Sequence, residues 1–220
     1  MTGQIADATW PELAQVDLVL VPVGSIEQHG PHLPLDTDTA IATGVARGVA
    51  AALEGAWVAP AVVYGSSGEH QAFPGTSSVG TDALRLMLVE LVRSMRTWTR
   101  RVLFVNAHGG NLRALDGAVR QLVDEGHDVT WAPCATEEVD LHAGRTETSL
   151  MLHLRPDSVR LDRSEAGNTQ PLQEILPTLI TRGVRAVSAN GVLGDPTGAT
   201  AEEGSRLLAR MVRDVLARAT

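Results

Sequence analysis

The sequence predicts a three-layer α/β/α sandwich, an α/β fold class in which helices cover both faces of a mostly parallel central sheet. Two observations support this prediction. Short runs of β-branched and apolar residues alternate along the chain with longer segments whose apolar residues recur at helical spacing. The chain also has 220 residues, 44% of them hydrophobic, which is enough for a complete core. We therefore expect a single domain over residues 1–220.

The predicted strands are apolar runs, as expected for strands that are buried on both faces of a sheet. Residues 16–23 read VDLVLVPV, and residues 101–106 read RVLFVN. Two further strands are predicted at residues 57–63 and 128–133. Doubly wound folds place their sites at the carboxyl ends of such strands, so functional side chains are expected in the segments that follow each strand.

The predicted helices alternate with these strands. Residues 39–53, for example, place Ile41 and Val45 on one face at helical spacing. Between residues 158 and 198 glycine and proline are frequent, which predicts loops and exposed strands around one short helix. The other helices are predicted at residues 82–99, 112–125, 148–154, 172–182 and 202–217.

Composition argues against several classes of protein. The net charge of -8 disfavours nucleic acid as a partner, because phosphate binding needs clustered cations. Cys134 is the single cysteine, so an internal disulfide is excluded. The sequence shows neither a signal peptide nor an apolar run of roughly 18 residues that would cross a membrane. We expect a cytoplasmic protein without membrane association.

Residues 23–39, VGSIEQHGPHLPLDTDT, concentrate acids and imidazoles in a loop directly after the first predicted strand. Turns need Gly and Pro but not imidazole or carboxylate, so this density indicates a metal site. Glu27 and His29 lie two residues apart, which in an extended segment directs both side chains to one side. Spacing alone leaves open whether Asp36 or Asp38 reaches the same ion. Mixed imidazole and carboxylate ligands suit Zn, Fe(II) or Mn better than calcium.

Later segments add candidate residues to this loop. Glu69 and His70 follow the second predicted strand, and His108 in NAHGGN follows the third. Taken alone, a histidine at a strand end is more often structural than functional. His142 and Glu147 precede an apolar segment, where Glu147 would alternatively be only a favourable carboxylate in the first turn of a helix.

Five motifs in fixed order resemble the creatininase superfamily over essentially the whole chain: GSIEQHGPHLPLDTDT, YGSSGEHQAFPGTSS, FVNAHGGN, HAGRTETS and GVLGDPTGAT. Several short motifs in one order are far more specific than any single motif. The second, fourth and fifth motifs are most similar to the branch of that superfamily that processes the mycofactocin precursor peptide. The resemblance implies a creatininase-like fold and a closed homo-oligomer.

The resemblance also implies two divalent metal ions per subunit, with Asp38 bridging them. His142 would stand beside the metals and, together with Glu147, serve as a catalytic residue for proton transfer. Creatininase itself has a metal-binding Glu two residues after the matching histidine, where this chain has Gly110. Glu147 is therefore expected to close the site, and creatinine is a poorer candidate as the substrate. The implied metal ligands are Glu27, His29, Asp38, His108 and Glu147.

The implied activity is hydrolysis of an amide bond by water activated between two divalent ions. For the branch named above, the substrate is a modified precursor peptide that is cut to release its C-terminal Val-Tyr-derived unit. Two alternatives stay open, a cyclic amidase or deformylase acting on a small heterocycle, and a nonhydrolytic metal-binding scaffold. A serine hydrolase is disfavoured because no G-x-S-x-G motif occurs. The candidates for substrate contact are Ser66, Ser67, Glu69 and His70, although both serines also fit simple turn formation.

Overall fold

The computed structural model describes residues 3–136 and 140–220, and these residues form a five-stranded sheet. Its strands are β1 (Gly3–Gln4), β2 (Leu18–Val23), β3 (Ala56–Val58), β4 (Arg101–Asn106) and β5 (Val129–Pro133). The spatial order is β1-β3-β2-β4-β5, and all four neighbouring pairs are parallel. The prediction of a mostly parallel central sheet is confirmed.

Helices cover both faces of this sheet. They are α1 (Thr37–Ala52), α2 (Thr81–Met95), α3 (Leu112–Asp124), α4 (Arg145–Leu154), α5 (Leu172–Arg182) and α6 (Ala201–Ala219). Helices α1, α4 and α6 pack on one face, and α2 and α3 pack on the other. The three-layer α/β/α sandwich is thereby confirmed. None of the helices in the described part of the chain is long and apolar enough to span a membrane.

The core is divided by the sheet because successive side chains of a strand point to opposite faces. Leu20 and Leu103 lie in the cluster beneath α1, α4 and α6, whereas Val19 and Phe104 lie in the cluster beneath α2 and α3. All four side chains are almost completely buried. Burial on both faces explains why these strands are continuous apolar runs rather than alternating ones.

Two predictions about single elements are wrong, and one short strand was not predicted. Strand β3 ends at Val58, because Pro60 has no N–H to continue the ladder and Val62 forms only an isolated bridge with Val23. The exposed strands expected between residues 158 and 198 are not formed; those residues contain α5 and short 3-10 turns. Strand β1 has two residues, too few for a sequence pattern to predict.

The topology places a crevice at the carboxyl ends of β2 and β4. From β2 the chain passes through α1 to β3 on one side, then returns through α2 to β4 on the other side of β2. Such a reversal of direction leaves room between the loops that follow the two strands, which is where doubly wound folds bind their ligands. The loop after β2 carries Glu27 and His29, and the loop after β4 carries His108.

Candidate metal centre

A cavity of about 810 Å³ opens at this crevice. Its walls include side chains from the loops after β2 and β4, from α1, and from the residues that begin α4. The residues predicted from the sequence as metal ligands or proton donors therefore meet in one place. Those that line the cavity are Glu27, Asp38, His108, His142 and Glu147.

One group of potential ligands consists of Glu27, Asp38 and His108. His108 Nδ1 lies 3.1 Å from Glu27 Oε2 and 3.5 Å from Asp38 Oδ2. All three side chains are buried. Two carboxylate oxygens and one imidazole nitrogen converging at these distances form a donor set that suits Zn, Fe(II) or Mn.

A second group consists of His29, Asp38 and Glu147. His29 Nε2 lies 3.1 Å from Asp38 Oδ1 and 3.8 Å from Glu147 Oε2. Asp38 thus directs one oxygen to each group, Oδ1 to His29 and Oδ2 to His108. This is the arrangement that a carboxylate bridging two neighbouring ions requires.

The unpaired oxygens of this centre fit bound cations. Glu27 Oε1 and Asp38 Oδ2 are buried, and no hydrogen bond reaches either atom among the described residues. A buried carboxylate oxygen without a partner is costly, and a divalent ion would remove that cost. The residues present therefore suit a two-metal centre.

The local field also favours positive charge. Burial alone would lower the pKa of His29, but Asp38, Glu147 and Glu27 outweigh it and raise the pKa to about 10. The pKa of His108 is also raised to about 10, because Glu27 and Asp38 overcome the effect of burial. The carboxylates therefore stabilise cations in this cavity, whether protons on the imidazoles or metal ions between them.

Hydrogen bonds behind the ligands fix their orientation. Ser25 Oγ donates to Glu27 Oε2 at 2.6 Å, and His29 Nδ1 lies 3.2 Å from the carbonyl oxygen of Glu27. His108 Nε2 donates to the carbonyl oxygen of Ser66 at 3.2 Å. In their neutral form, which metal binding requires, both imidazoles would carry their hydrogen on the nitrogen that faces the protein and direct the other nitrogen to the carboxylates, as metal-bound histidines do.

Gln28 organises two further histidines and was missed by the sequence reasoning. Its carbonyl oxygen accepts a hydrogen bond from His142 Nε2 at 2.7 Å, which leaves His142 Nδ1 unprotonated and facing Glu27 Oε1 at 3.7 Å. Its side-chain Nε2 donates to His70 Nδ1 at 2.9 Å and to the carbonyl oxygen of Gly191 at 3.0 Å. Its place in the sequence could have identified it, because the side chain between Glu27 and His29 in an extended segment points to the side opposite theirs, behind the two ligands.

The two aspartates of the first loop have different surroundings. Asp36 is bound by the guanidinium of Arg155 in a bidentate pair, at 2.9 and 2.5 Å, on the edge of the protein. The hydrogen bonds from Arg155 lower the pKa of Asp36. Asp38 is 1% exposed and lines the cavity. Asp38 is therefore the aspartate of this loop that is placed to contact a bound ion, and its bridging role stays a prediction.

The four residues proposed to contact substrate fall into two pairs. Glu69 and His70 line the cavity, and His70 Nε2 lies 3.3 Å from Glu27 Oε1. Ser66 and Ser67 are buried and do not line it. Their backbone N–H groups donate to Asn111 Oδ1 and Ser78 Oγ, respectively, which are contacts that stabilise the turn. A role for the serines in substrate binding stays a prediction.

Gly110 stands where the resemblance places a glutamate in creatininase, and the local backbone has little space for a side chain there. A Cβ atom at this position would lie 2.3 Å from the carbonyl oxygen of Ser66 and 2.6 Å from Glu69 Oε1. It would also lie 2.4 Å from His108 Nε2. The carboxylate of Glu69 and the carbonyl of Ser66 thus occupy the region that a residue 110 side chain would enter.

Replacing His142 with Ala is expected to leave most bound metal in place and to lower turnover by about 100-fold or more, the usual scale for losing a positioned acid or base. Elemental analysis and turnover of metal-loaded protein measure the two effects. His127→Ala is the matched control, because that imidazole lies outside the cavity beside Glu125. Metal loss in proportion to lost activity would instead make His142 a ligand, in the group that it forms with Glu27 and His29.

Known proteins with related sequences are described as peptidases or amidohydrolases. The family model for creatininase, described as creatinine amidohydrolase, matches residues 6–219. The mycofactocin precursor peptide peptidase of Mycolicibacterium smegmatis is 57% identical over 204 residues, which cover 90% of this chain and 83% of that protein. The creatinine amidohydrolase of Pseudomonas putida is 31% identical over 248 residues, which cover 96% of this chain and 94% of that protein.

Solved structures share the fold. A structure described as creatininase Mn has a TM-score of 0.82 to this chain at 28% identity, covering 98% of this chain and 96% of its own. A mutant creatininase described as the Zn-Zn type has the same TM-score at 27% identity and the same coverage of both chains. The descriptions of these two neighbours thus name manganese and zinc.

Proposed function

The chain belongs to the creatininase family, and from this premise we propose that it is a metal-dependent amide hydrolase that acts on a peptide. The proposed substrate is the modified mycofactocin precursor peptide, because the relative that is 57% identical carries that peptide in its description. The proposed product is the C-terminal Val-Tyr-derived unit of that peptide. The proposed cofactor is a pair of divalent ions drawn from Zn, Fe(II) and Mn.

One observation carries the hydrolase proposal, namely the position of Asp38 between two groups of ligands. Each group offers an imidazole nitrogen and carboxylate oxygens, and Asp38 belongs to both. A single structural ion would need only one such group. A carboxylate shared by two groups supports a pair of ions close together, the arrangement found in two-metal hydrolases.

Two divalent ions in such a centre would lower the pKa of a water molecule and polarise an amide carbonyl. In this proposal His142 transfers a proton from the attacking water to the leaving nitrogen. Burial, together with the neighbouring imidazole of His29, holds the pKa of His142 well below its usual range, so the ring is neutral at rest. Because Gln28 fixes the hydrogen on Nε2, the free Nδ1 accepts a proton from the attacking water. That proton then passes to the leaving nitrogen as the C–N bond breaks.

The volume of the cavity is large enough for a segment of peptide. Its volume of about 810 Å³ lies near the upper end of the roughly 300–1,000 Å³ that small-molecule sites span. A space of this size accommodates several residues of an extended chain. The volume is therefore sufficient for the peptide substrate of the proposal.

The direct test is to incubate the modified precursor peptide with protein loaded separately with Zn, Fe(II) or Mn and to identify the fragments by mass spectrometry. We expect two fragments, one of them the C-terminal unit, and no fragments after treatment with a chelator. If no metal loading produced cleavage of any amide, the nonhydrolytic scaffold would be favoured. Cleavage of small cyclic amides but never of the peptide would favour the cyclic amidase.

A further inference from the structure

Helix α5 gives the cavity an apolar wall. Leu172, Leu176 and Ile180 line the cavity and recur at a spacing of four, so they form a stripe along the helix. These three residues, which we call the α5 stripe, are 39%, 38% and 75% exposed. The metal centre lines the same cavity with carboxylates and imidazoles. One cavity therefore offers a substrate two kinds of contact, with the metal centre and with hydrocarbon.

A different set of residues attaches α5 to the protein. Ile175 is buried in a small cluster with Val184 and Leu193, and Leu179 packs against that cluster. The α5 stripe lies outside all three apolar clusters that the described residues form. A row of large apolar side chains left partly exposed beside a cavity is typical of a surface that binds a ligand.

The same small cluster supports His142. Leu193 belongs to the cluster, and Leu141 packs against it. The N–H groups of Leu141 and His142 donate to the carbonyl oxygen of Leu193 at 3.0 and 3.1 Å, and the N–H of Leu193 donates to the carbonyl oxygen of His142 at 2.9 Å. Helix α5 and His142 therefore lie on the same side of the cavity, joined through Leu141 and Leu193.

The proposed reaction determines which half of the substrate reaches this side. His142 gives a proton to the leaving nitrogen, so that nitrogen must come within hydrogen-bond reach of the imidazole. The part of the peptide attached to the nitrogen is the C-terminal unit, and it continues from His142 along the wall that α5 forms. The part attached to the carbonyl carbon extends in the other direction, because the two substituents of an amide diverge from the bond that is cut.

We propose that Leu172, Leu176 and Ile180 form the subsite for the C-terminal unit that cleavage releases. The subsite favours a bulky apolar group on the nitrogen side of the scissile amide, because contact with the stripe removes apolar surface from water. A unit derived from Val and Tyr supplies such a group. This inference rests on the proposed function and adds to it the wall that holds the released half. The stripe does not touch the reacting atoms, so it determines specificity through binding.

The test uses the two fragments of the cleaved precursor peptide, each purified, as inhibitors of wild-type and variant protein. Leu176→Ser and Ile180→Ser should each raise the inhibition constant of the C-terminal fragment by about 5-fold, and the double variant should raise it by about 20-fold, because apolar contact is lost. The inhibition constant of the N-terminal fragment should stay unchanged. KM for the whole peptide should rise while kcat changes little, since the lost contact is present in ground state and transition state alike.

Leu112→Ser is the matched control. Leu112 lines the same cavity and is 40% exposed, but it begins α3, next to the loop that carries His108. This variant should leave the inhibition constant of the C-terminal fragment unchanged. Leu176→Met should restore nearly wild-type inhibition, because methionine keeps the apolar character and most of the volume of leucine.

The inference is overturned if the C-terminal fragment fails to inhibit the wild-type protein, or inhibits it and the double variant equally. It is also overturned if Leu112→Ser weakens that fragment as much as Leu176→Ser does. A second copy of the chain is the other occupant that the stripe could have. In that case the double variant would change the mass measured by light scattering and leave inhibition by the fragment unchanged.

These outcomes differ from failure of the proposed function, in which the wild-type protein cleaves no precursor peptide under any metal loading. The stripe variants are expected to fold, because the stripe lies outside the cluster that attaches α5 to the protein. Equal melting temperatures of wild type and variants check this point.

Discussion

Asp38→Ala is expected to empty both halves of the metal centre, lowering metal content from about two equivalents per subunit to near zero. The reason is that Asp38 Oδ1 lies 3.1 Å from His29 Nε2 while Asp38 Oδ2 lies 3.5 Å from His108 Nδ1. Removing this carboxylate takes one ligand from each ion and also the negative charge that lets two cations lie close together. Elemental analysis after dialysis measures the loss, and amide cleavage should fall with it.

Asp36→Ala is the matched control, because it removes the same side chain two residues earlier in the same loop. Asp36 is paired with Arg155 at the protein surface, and both side chains are 40% exposed. Exposed pairs contribute about 0–1 kcal/mol, so this variant should fold and retain its metal. Equal metal content in the two variants would contradict the bridging role of Asp38.

Glu147→Gln is expected to fold with near-native melting when metal is supplied, yet to lose at least one equivalent of tightly bound metal and nearly all cleavage. Glu147 Oε2 lies 3.8 Å from His29 Nε2 and accepts a hydrogen bond from the Ala143 N–H at 2.6 Å. Ala143 has a φ of 53°, a conformation that costs an ordinary residue about 1–2 kcal/mol. A glutamine oxygen still accepts that bond and keeps the turn, but it offers the ion no charge.

The alternative role of Glu147 is electrostatic support of a helix, since it lies in the first turn of α4. In that case Glu147→Gln would cost only about 0.3–1 kcal/mol of stability and leave catalysis near normal. Glu202→Gln makes the same change in the first turn of α6, at a side chain that is 85% exposed. It should show only that small cost. Full metal occupancy and normal cleavage in Glu147→Gln would refute the ligand assignment and turn attention to Glu69 or His142.

The layers of the fold were predictable because buried elements have a recognisable pattern of apolar residues in the sequence. Strands β2 and β4 are apolar on both faces, so they are apolar runs whether or not the neighbouring elements are known. The start of α4 was less predictable: the apolar pattern begins near Thr148, but the helix begins at Arg145. Its first turn is polar because Glu147 lines the cavity and the exposed Arg145 pairs with Glu203, and hydrophobic periodicity does not record such a turn.

The candidate site was predictable only in part, because ligands that come from different segments are joined by tertiary structure. The spacing of Glu27 and His29 indicated a local pair. The choice of Asp38 over Asp36 came from the resemblance, since spacing does not reveal that Arg155 binds Asp36 from 119 residues away. Gln28 escaped notice because an amide has no metal-binding or acid-base signature, although it orients two histidines through hydrogen bonds.

The central claim is that one cavity holds two metal ions joined by Asp38, and anomalous X-ray diffraction from crystals of metal-loaded protein tests it most directly. The expected result is two anomalous peaks about 3.5–4 Å apart. One should lie beside Glu27 and His108, the other beside His29 and Glu147, and Asp38 should contact both. A single peak, or two peaks without Asp38 between them, would contradict the two-metal centre.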